Sequence, residues 1–110
     1  MRNIIWTKHG SAAFNEILTY IKRNTGVITA RNIHNKVMSA LDLLKSEEIT
    51  TRKSSELLEI GINDIYELNI KPWKVYYKIS SDNKQIIIMS IIDMRRNVGE
   101  LLLKLVLGKL

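Results

Sequence analysis

Apolar residues recur along this chain with two different periods, and the change of period divides it into predicted helices and strands. A short apolar run at 3–6 predicts a first strand, and Thr7 or Ser11 is placed to cap the helix that follows. Apolar residues then fall at helical spacing as far as Gly26, and the same spacing returns over 29–45. Two helices joined by so short a break are expected to form an antiparallel hairpin with one shared apolar face.

The second half of the chain has the pattern of strands. The polar stretch 46–55 lacks periodicity and is assigned to a loop. The runs 65–70 and 73–79 predict a β-hairpin that turns at Pro72, because proline sets the backbone angle that a tight turn requires. The run 85–92 is apolar on both faces, which is typical of a strand in the middle of a sheet.

Two short segments complete the prediction. The sequence does not decide whether 56–60 is extended or one turn of helix, whereas the leucine-rich tail 98–110 has the spacing of a short helix. The fold class predicted for residues 1–110 is therefore a single α+β domain. It consists of an N-terminal strand, an antiparallel helical hairpin packed on a mainly antiparallel four-stranded sheet, and a short C-terminal helix.

Composition and charge narrow the classes of function. Seventeen lysines and arginines against eleven acidic residues give a net charge of +6, which favours nucleic acid, an acidic protein or an anionic surface as partner. The chain has no cysteine, and its two histidines, His9 and His34, are too far apart to suggest a metal motif. We therefore expect no metal and no cofactor. We find no secretory signal and no apolar run long enough to span a membrane, so we expect a cytoplasmic protein without a membrane partner.

Five short sequence motifs follow one another along the chain. They are IWT at 5–7, SEL at 55–57, IYEL at 65–68, WKVYYKI at 73–79 and DMRR at 93–96. Together with the order of predicted elements, they make the chain resemble the RelE/ParE family of bacterial toxins from type II toxin-antitoxin systems. The resemblance covers essentially the whole chain, and it rests on order and spacing because each motif alone is common.

The resemblance implies two kinds of binding site. A target-binding surface is expected at the basic strands and their ends, from Lys74, Lys78, Arg95, Arg96 and Tyr66. An antitoxin is the implied partner, and the apolar tail is expected to contact it through Leu101, Leu102 and Leu105. A homodimer is left open.

Two departures from the family pattern bear on the type of activity. Asp93 stands where many members have histidine, and Lys74 stands where many have arginine, so an imidazole and a forked guanidinium are both missing. The family branch that cuts messenger RNA usually supplies a tyrosine or histidine near the C-terminus, where this leucine-rich chain has neither. We interpret His9 and His34 as ordinary surface histidines.

Three functions remain open from the sequence. The favoured one is a ParE-like toxin that inhibits by binding, with DNA gyrase as the target that the resemblance implies. The alternative is a RelE-like endonuclease acting on ribosome-bound messenger RNA, with Lys74, Arg95 and Arg96 as catalytic cations. The third is a basic binding module of the same fold that is no longer toxic.

Overall fold

The computed structural model describes residues 2–46 and 51–95. Within them the chain forms five strands and three helices. In chain order they are β1 (Asn3–Trp6), α1 (Lys8–Thr25), α2 (Val27–Lys45), β2 (Arg52–Lys53), α3 (Ser55–Leu58), β3 (Tyr66–Ile70), β4 (Trp73–Ile79) and β5 (Gln85–Asp93). The predicted C-terminal helix lies outside the described residues.

The helical hairpin is confirmed, and its ends have clear local causes. Thr7, rather than Ser11, caps α1: its hydroxyl accepts a hydrogen bond from the Gly10 amide at 2.9 Å and donates one to the Ile88 carbonyl at 2.9 Å. The second bond fixes the start of α1 against β5. Gly26 separates the two helices with a φ of 101°, a backbone conformation that glycine adopts without a steric penalty.

The sheet has one more strand than the four predicted. Its order is β1-β5-β4-β3-β2, with β1 parallel to β5 and the other pairs antiparallel. The additional strand β2 is the pair Arg52–Lys53 next to Glu67 and Tyr66, inside the segment that was assigned to a loop. Two residues are too few to show a period of two, so this edge strand could not be predicted from the sequence pattern.

Strand β5 is an interior strand, as predicted, with β1 and β4 as its neighbours, and it contains a β-bulge. Tyr76 pairs with Ser90 and Tyr77 pairs with Ile88, so Met89 has no partner on β4. The bulge shifts the alternation by one residue, and for this reason Ile88 and Ile91 both enter the main core although they are three positions apart.

The sheet buries both of its faces, but against different elements. The hairpin covers one face and forms the main core, where Val37, Leu41, Val75, Ile86 and Ile88 are almost completely buried. The single helical turn α3 covers the other face and packs on a second, smaller cluster; its members are Leu57, Ile65, Tyr76 and Ile92. A sheet covered on one face only would leave some side chains of β4 in solvent. Here they are enclosed.

Candidate functional site

Lys74 lies in the second face of the sheet, where it belongs to a network of ion pairs. Its ammonium is 3.3 Å from Glu67 Oε2 and 3.6 Å from Glu56 Oε1, and Arg52 Nε is 3.0 Å from Glu67 Oε1. Lys74 is only 9% exposed and Glu67 3%. A buried lysine needs such partners, since an isolated charge away from water is strongly unfavourable.

Helix α3 closes this network. Ser54 caps it by accepting a hydrogen bond from the Leu57 amide at 3.3 Å, which places Leu57 over the apolar cluster and Glu56 beside Lys74. A hydrogen bond from its own backbone amide and the charge of Lys74 lower the pKa of Glu56. Burial and the two nearby glutamates raise the pKa of Tyr76, so its phenol stays neutral. The Tyr76 hydroxyl has no hydrogen-bond partner among the described residues.

The other predicted target-binding residues of the sheet are not gathered around Lys74. Lys78 is 3.4 Å from Asp64 Oδ2, in a half-exposed ion pair. Tyr66 lies on the opposite face, where its ring stacks on Tyr77 with centroids 5.6 Å apart. The structure therefore does not assemble Lys74, Lys78 and Tyr66 into one exposed cationic surface.

Arg95 occupies a different position, at the end of β5. Its guanidinium makes a two-point contact with Asp93, through Nε to Oδ1 at 3.0 Å and Nη2 to Oδ2 at 2.8 Å. The Arg95 amide also donates to Asp93 Oδ1 at 2.9 Å. The side chain of Arg95 nevertheless remains 68% exposed. Asp93 thus orients a guanidinium that still faces solvent.

A groove of about 1240 Å³ runs between α1 and the C-terminal half of β5, and Arg95 lies in its wall. Its apolar lining includes Ile17, Ile21 and Ile91. We call it the α1/β5 groove. The charged, imidazole and phenol side chains that line it are His9, Glu16, Tyr20, Arg23, Asp93 and Arg95. The groove therefore combines an apolar surface with guanidinium, imidazole, phenol and carboxylate groups.

The α1 side of this groove was missed in the sequence analysis. His9, Glu16, Tyr20 and Arg23 lie at spacings of seven, four and three, which puts them on one side of a helix. That period was visible in the sequence. What the sequence could not supply is the pairing of this side of α1 with the end of β5.

Several predicted site residues lie outside the part of the chain that the structure describes. They are Arg96 of the arginine pair and the tail leucines Leu101, Leu102 and Leu105. Among the described residues, no group of three or more histidine, aspartate or glutamate side chains is arranged to hold a metal ion. None of the helices in that part of the chain has the length and apolar character to cross a bilayer.

The comparisons with known proteins agree with this architecture. A family model described as the ParE toxin of the type II toxin-antitoxin system parDE matches residues 4–98. One similar solved structure is titled a chromosomal ParDE TA system from P. aeruginosa. It has a TM-score of 0.67 and 16% sequence identity over 84% of this chain and 96% of that chain, which supports the fold alone. No curated protein sequence matches significantly.

The strand, helical hairpin and mixed sheet form an α+β domain. The family match extends over most of the chain. The chain belongs to the ParE toxin family of type II toxin-antitoxin systems.

Proposed function

We propose that this protein is a growth-inhibiting toxin that acts by binding its target through the α1/β5 groove. DNA gyrase is the proposed target, and a cognate antitoxin is the proposed partner that neutralises the toxin in the cytoplasm. The gyrase assignment follows the family resemblance. The presence of an antitoxin is supported by the similar structure, which is titled a ParDE system.

The placement of the cations carries the proposal. An RNA-cleaving surface needs several exposed cations near a group that transfers protons. Lys74 is instead buried between two glutamates, and Lys78 is paired with Asp64. Arg95 is exposed and oriented by Asp93 beside an apolar groove. An oriented guanidinium next to apolar surface is a common arrangement in protein-protein recognition.

The decisive experiment compares wild-type protein with Arg95→Ala in a DNA supercoiling assay with purified gyrase. We expect wild-type protein to inhibit supercoiling and Arg95→Ala to lose at least about tenfold in potency, which corresponds to one charge-assisted contact. Lys84→Ala is the matched control, because Lys84 is an exposed cation in the turn before β5 and does not line the groove. Full gyrase activity in the presence of wild-type protein would refute the gyrase assignment.

The double variant with alanine at Arg95 and Arg96 tests the basic pair in cells. We expect it to remove growth inhibition while the circular dichroism spectrum and melting temperature stay unchanged. Persistent toxicity would place the active surface elsewhere. If wild-type protein expressed without an antitoxin leaves growth unaffected, the third function, a non-toxic binding module, is correct instead.

A ribosome-dependent endonuclease is the second candidate, and one observation favours it. His9, Tyr20, Arg23 and Arg95 line the same groove, so an imidazole, a phenol and two guanidinium groups surround one space. Ribosome-bound messenger RNA should then be cut by wild-type protein and spared by His9→Ala and Tyr20→Phe. Intact messenger together with inhibited gyrase would exclude this candidate.

A further inference from the structure

Residues 54–65 form a loop whose two ends are joined, and helix α3 lies inside it. The Ser54 amide donates a hydrogen bond to the Ile65 carbonyl at 2.9 Å, so the chain leaves the sheet after β2 and returns to it at the same place before β3. The Ile62 amide donates to the Leu57 carbonyl at 2.9 Å, which closes the turn after α3. We call this compact unit with a narrow base the α3 loop.

Few interactions attach the α3 loop to the sheet. Between its two ends Leu57 is the only buried side chain, at 1% exposure. Glu56 adds the ion pair with Lys74 at 3.6 Å, in which the Glu56 side chain remains 44% exposed. The pair of Asp64 with Lys78 lies next to the base of the loop. Away from its base, the loop is therefore held by one leucine and one half-exposed ion pair.

The sheet surface under the α3 loop contains polar groups that are not satisfied. The Tyr76 hydroxyl has no hydrogen-bond partner among the described residues, and Glu67 Oε2 accepts no well-directed hydrogen bond there, although the Lys74 ammonium is 3.3 Å away. Tyr76 and Glu67 face each other across β4 and β3. Burying such groups without partners costs free energy, and water would satisfy both if the loop lifted away. Their solvation offsets part of the apolar contact that opening removes.

The apolar cluster under the α3 loop is small compared with the main core. Among the described residues it has four buried members, whereas the main core has eleven. Three of the four, Ile65, Tyr76 and Ile92, belong to the sheet or to the base of the loop, so only Leu57 leaves when the loop opens. Segments that bury few apolar side chains open at a lower free energy than the whole fold does.

We propose that the α3 loop is a lid, which opens while the hairpin and the sheet stay folded and thereby uncovers Lys74, Glu67 and Tyr76. With the lid closed, Lys74 is only 9% exposed. With the lid open, its ammonium loses Glu56 and faces water. Lys74 and Tyr76 lie two residues apart on β4, so the phenol is on the same face of the sheet. The lid therefore controls access to a cation and a hydroxyl that are separate from Arg95.

Thiol labelling measures the opening directly, because the chain has no cysteine of its own. Leu57→Cys places a thiol at the anchor of the lid, and Leu41→Cys places one at an equally buried position of the main core as the matched control. Both are labelled with a small disulfide reagent at increasing urea below the unfolding transition, and each rate is divided by that of the unfolded variant. We expect the thiol at position 57 to react at least about tenfold faster than the one at position 41, with a weaker urea dependence, because less surface is exposed on opening.

Adding Glu56→Gln to Leu57→Cys tests the ion pair that holds the lid closed. We expect labelling at position 57 to become at least about twofold faster, because the neutral amide is not attracted by Lys74. Glu59→Gln is the matched control, since Glu59 is an exposed glutamate at the end of the same helix, and it should leave the rate unchanged. If both substitutions accelerate labelling equally, the pair of Glu56 with Lys74 does not close the lid.

Hydrogen exchange of the wild-type protein tests the lid without a substitution at its anchor. The Leu57 and Ile62 amides are hydrogen-bonded inside the lid, and we expect them to exchange at least about 100-fold faster than the Val75 amide of β4. If the two thiols react at one rate with one urea dependence, or if the lid amides exchange as slowly as that of Val75, then α3 opens only when the whole protein unfolds and the inference is wrong.

Discussion

Replacing Lys74 by methionine tests whether this residue stabilises the fold or contacts the target. Lys74→Met keeps most of the length of the side chain and removes the charge that lies between Glu67 and Glu56. Glu67, whose side chain is only 2% exposed, would keep Arg52 as its sole ion-pair partner among the described residues. Removing one member of a buried ion pair typically costs about 3 to 5 kcal/mol. Because the exposed Arg52 still compensates part of the charge, we expect a loss of about 2 to 3 kcal/mol.

Urea denaturation followed by tryptophan fluorescence measures this loss, since both tryptophans pack in the main core. Lys74→Met/Glu67→Met removes both charges and fills the same space with apolar atoms. We expect it to recover stability to within about 1 kcal/mol of the wild type. Lys78→Met is the exposed control, because its ion pair with Asp64 is half solvated and should contribute less than about 1 kcal/mol.

Stability and target binding of the Lys74 variants together distinguish the two roles. If Lys74→Met unfolds at the wild-type urea concentration but no longer binds the target, then the amine contacts the target as the sequence analysis predicted, and the structural role is wrong. If stability and target binding fall together and the double methionine variant restores both, the charge of Lys74 acts only through the fold.

Three further predictions concern the start of α1 and the network at α3. Gly10→Ala should lower the free energy of unfolding by about 1 to 3 kcal/mol, because the added Cβ would lie 2.6 Å from the Ile88 carbonyl oxygen. Ser11→Ala, at an exposed position, is the control in the same urea denaturation experiment. Thr7→Ala should lower the free energy of unfolding by about 1 kcal/mol, because the helix cap is lost. Thr7→Ser keeps the capping hydroxyl and should retain most of the stability, and urea titration of both variants measures the difference. The pKa of Glu56 in the folded protein is below its ordinary value of 4.5. Its carboxylate therefore stabilises the fold above pH 4.5, and this stabilisation is lost as the pH falls through the folded pKa. The difference in unfolding free energy between wild type and Glu56→Gln should shrink over the same fall in pH.

The fold was predictable where long segments repeat a single period. The helices of the hairpin and strands β3 and β4 were found within a few residues. Strand β2 was not predicted, because its two residues are too few to show an alternating pattern. The bulge at Met89 places apolar residues on one face at irregular spacing, which a sequence pattern cannot separate from a strand that is apolar on both faces.

The site was predictable only in part, for a physical reason. Alternation along β4 assigns Lys74 to the face away from the hairpin, and that face would be exposed in a sheet covered on one side only. Whether a distant segment covers it depends on tertiary packing. Helix α3 covers this face and supplies Glu56. Lys74 is therefore buried, although its position on the outer face of the sheet suggested an exposed cation. The α1/β5 groove also depends on packing between segments far apart in sequence.

Asp93 shows how one departure from the family pattern can change the chemistry of a position. The family resemblance implies a histidine at this position, and an imidazole can transfer a proton. A carboxylate in its place binds the Arg95 guanidinium at two points and through the Arg95 amide, so the position now fixes the direction of a cation. Fixing a guanidinium before the target arrives reduces the entropy lost on binding, and both oxygens of the Asp93 carboxylate already accept hydrogen bonds from Arg95. The substitution therefore favours a toxin that binds its target at Arg95 over one that cuts it there.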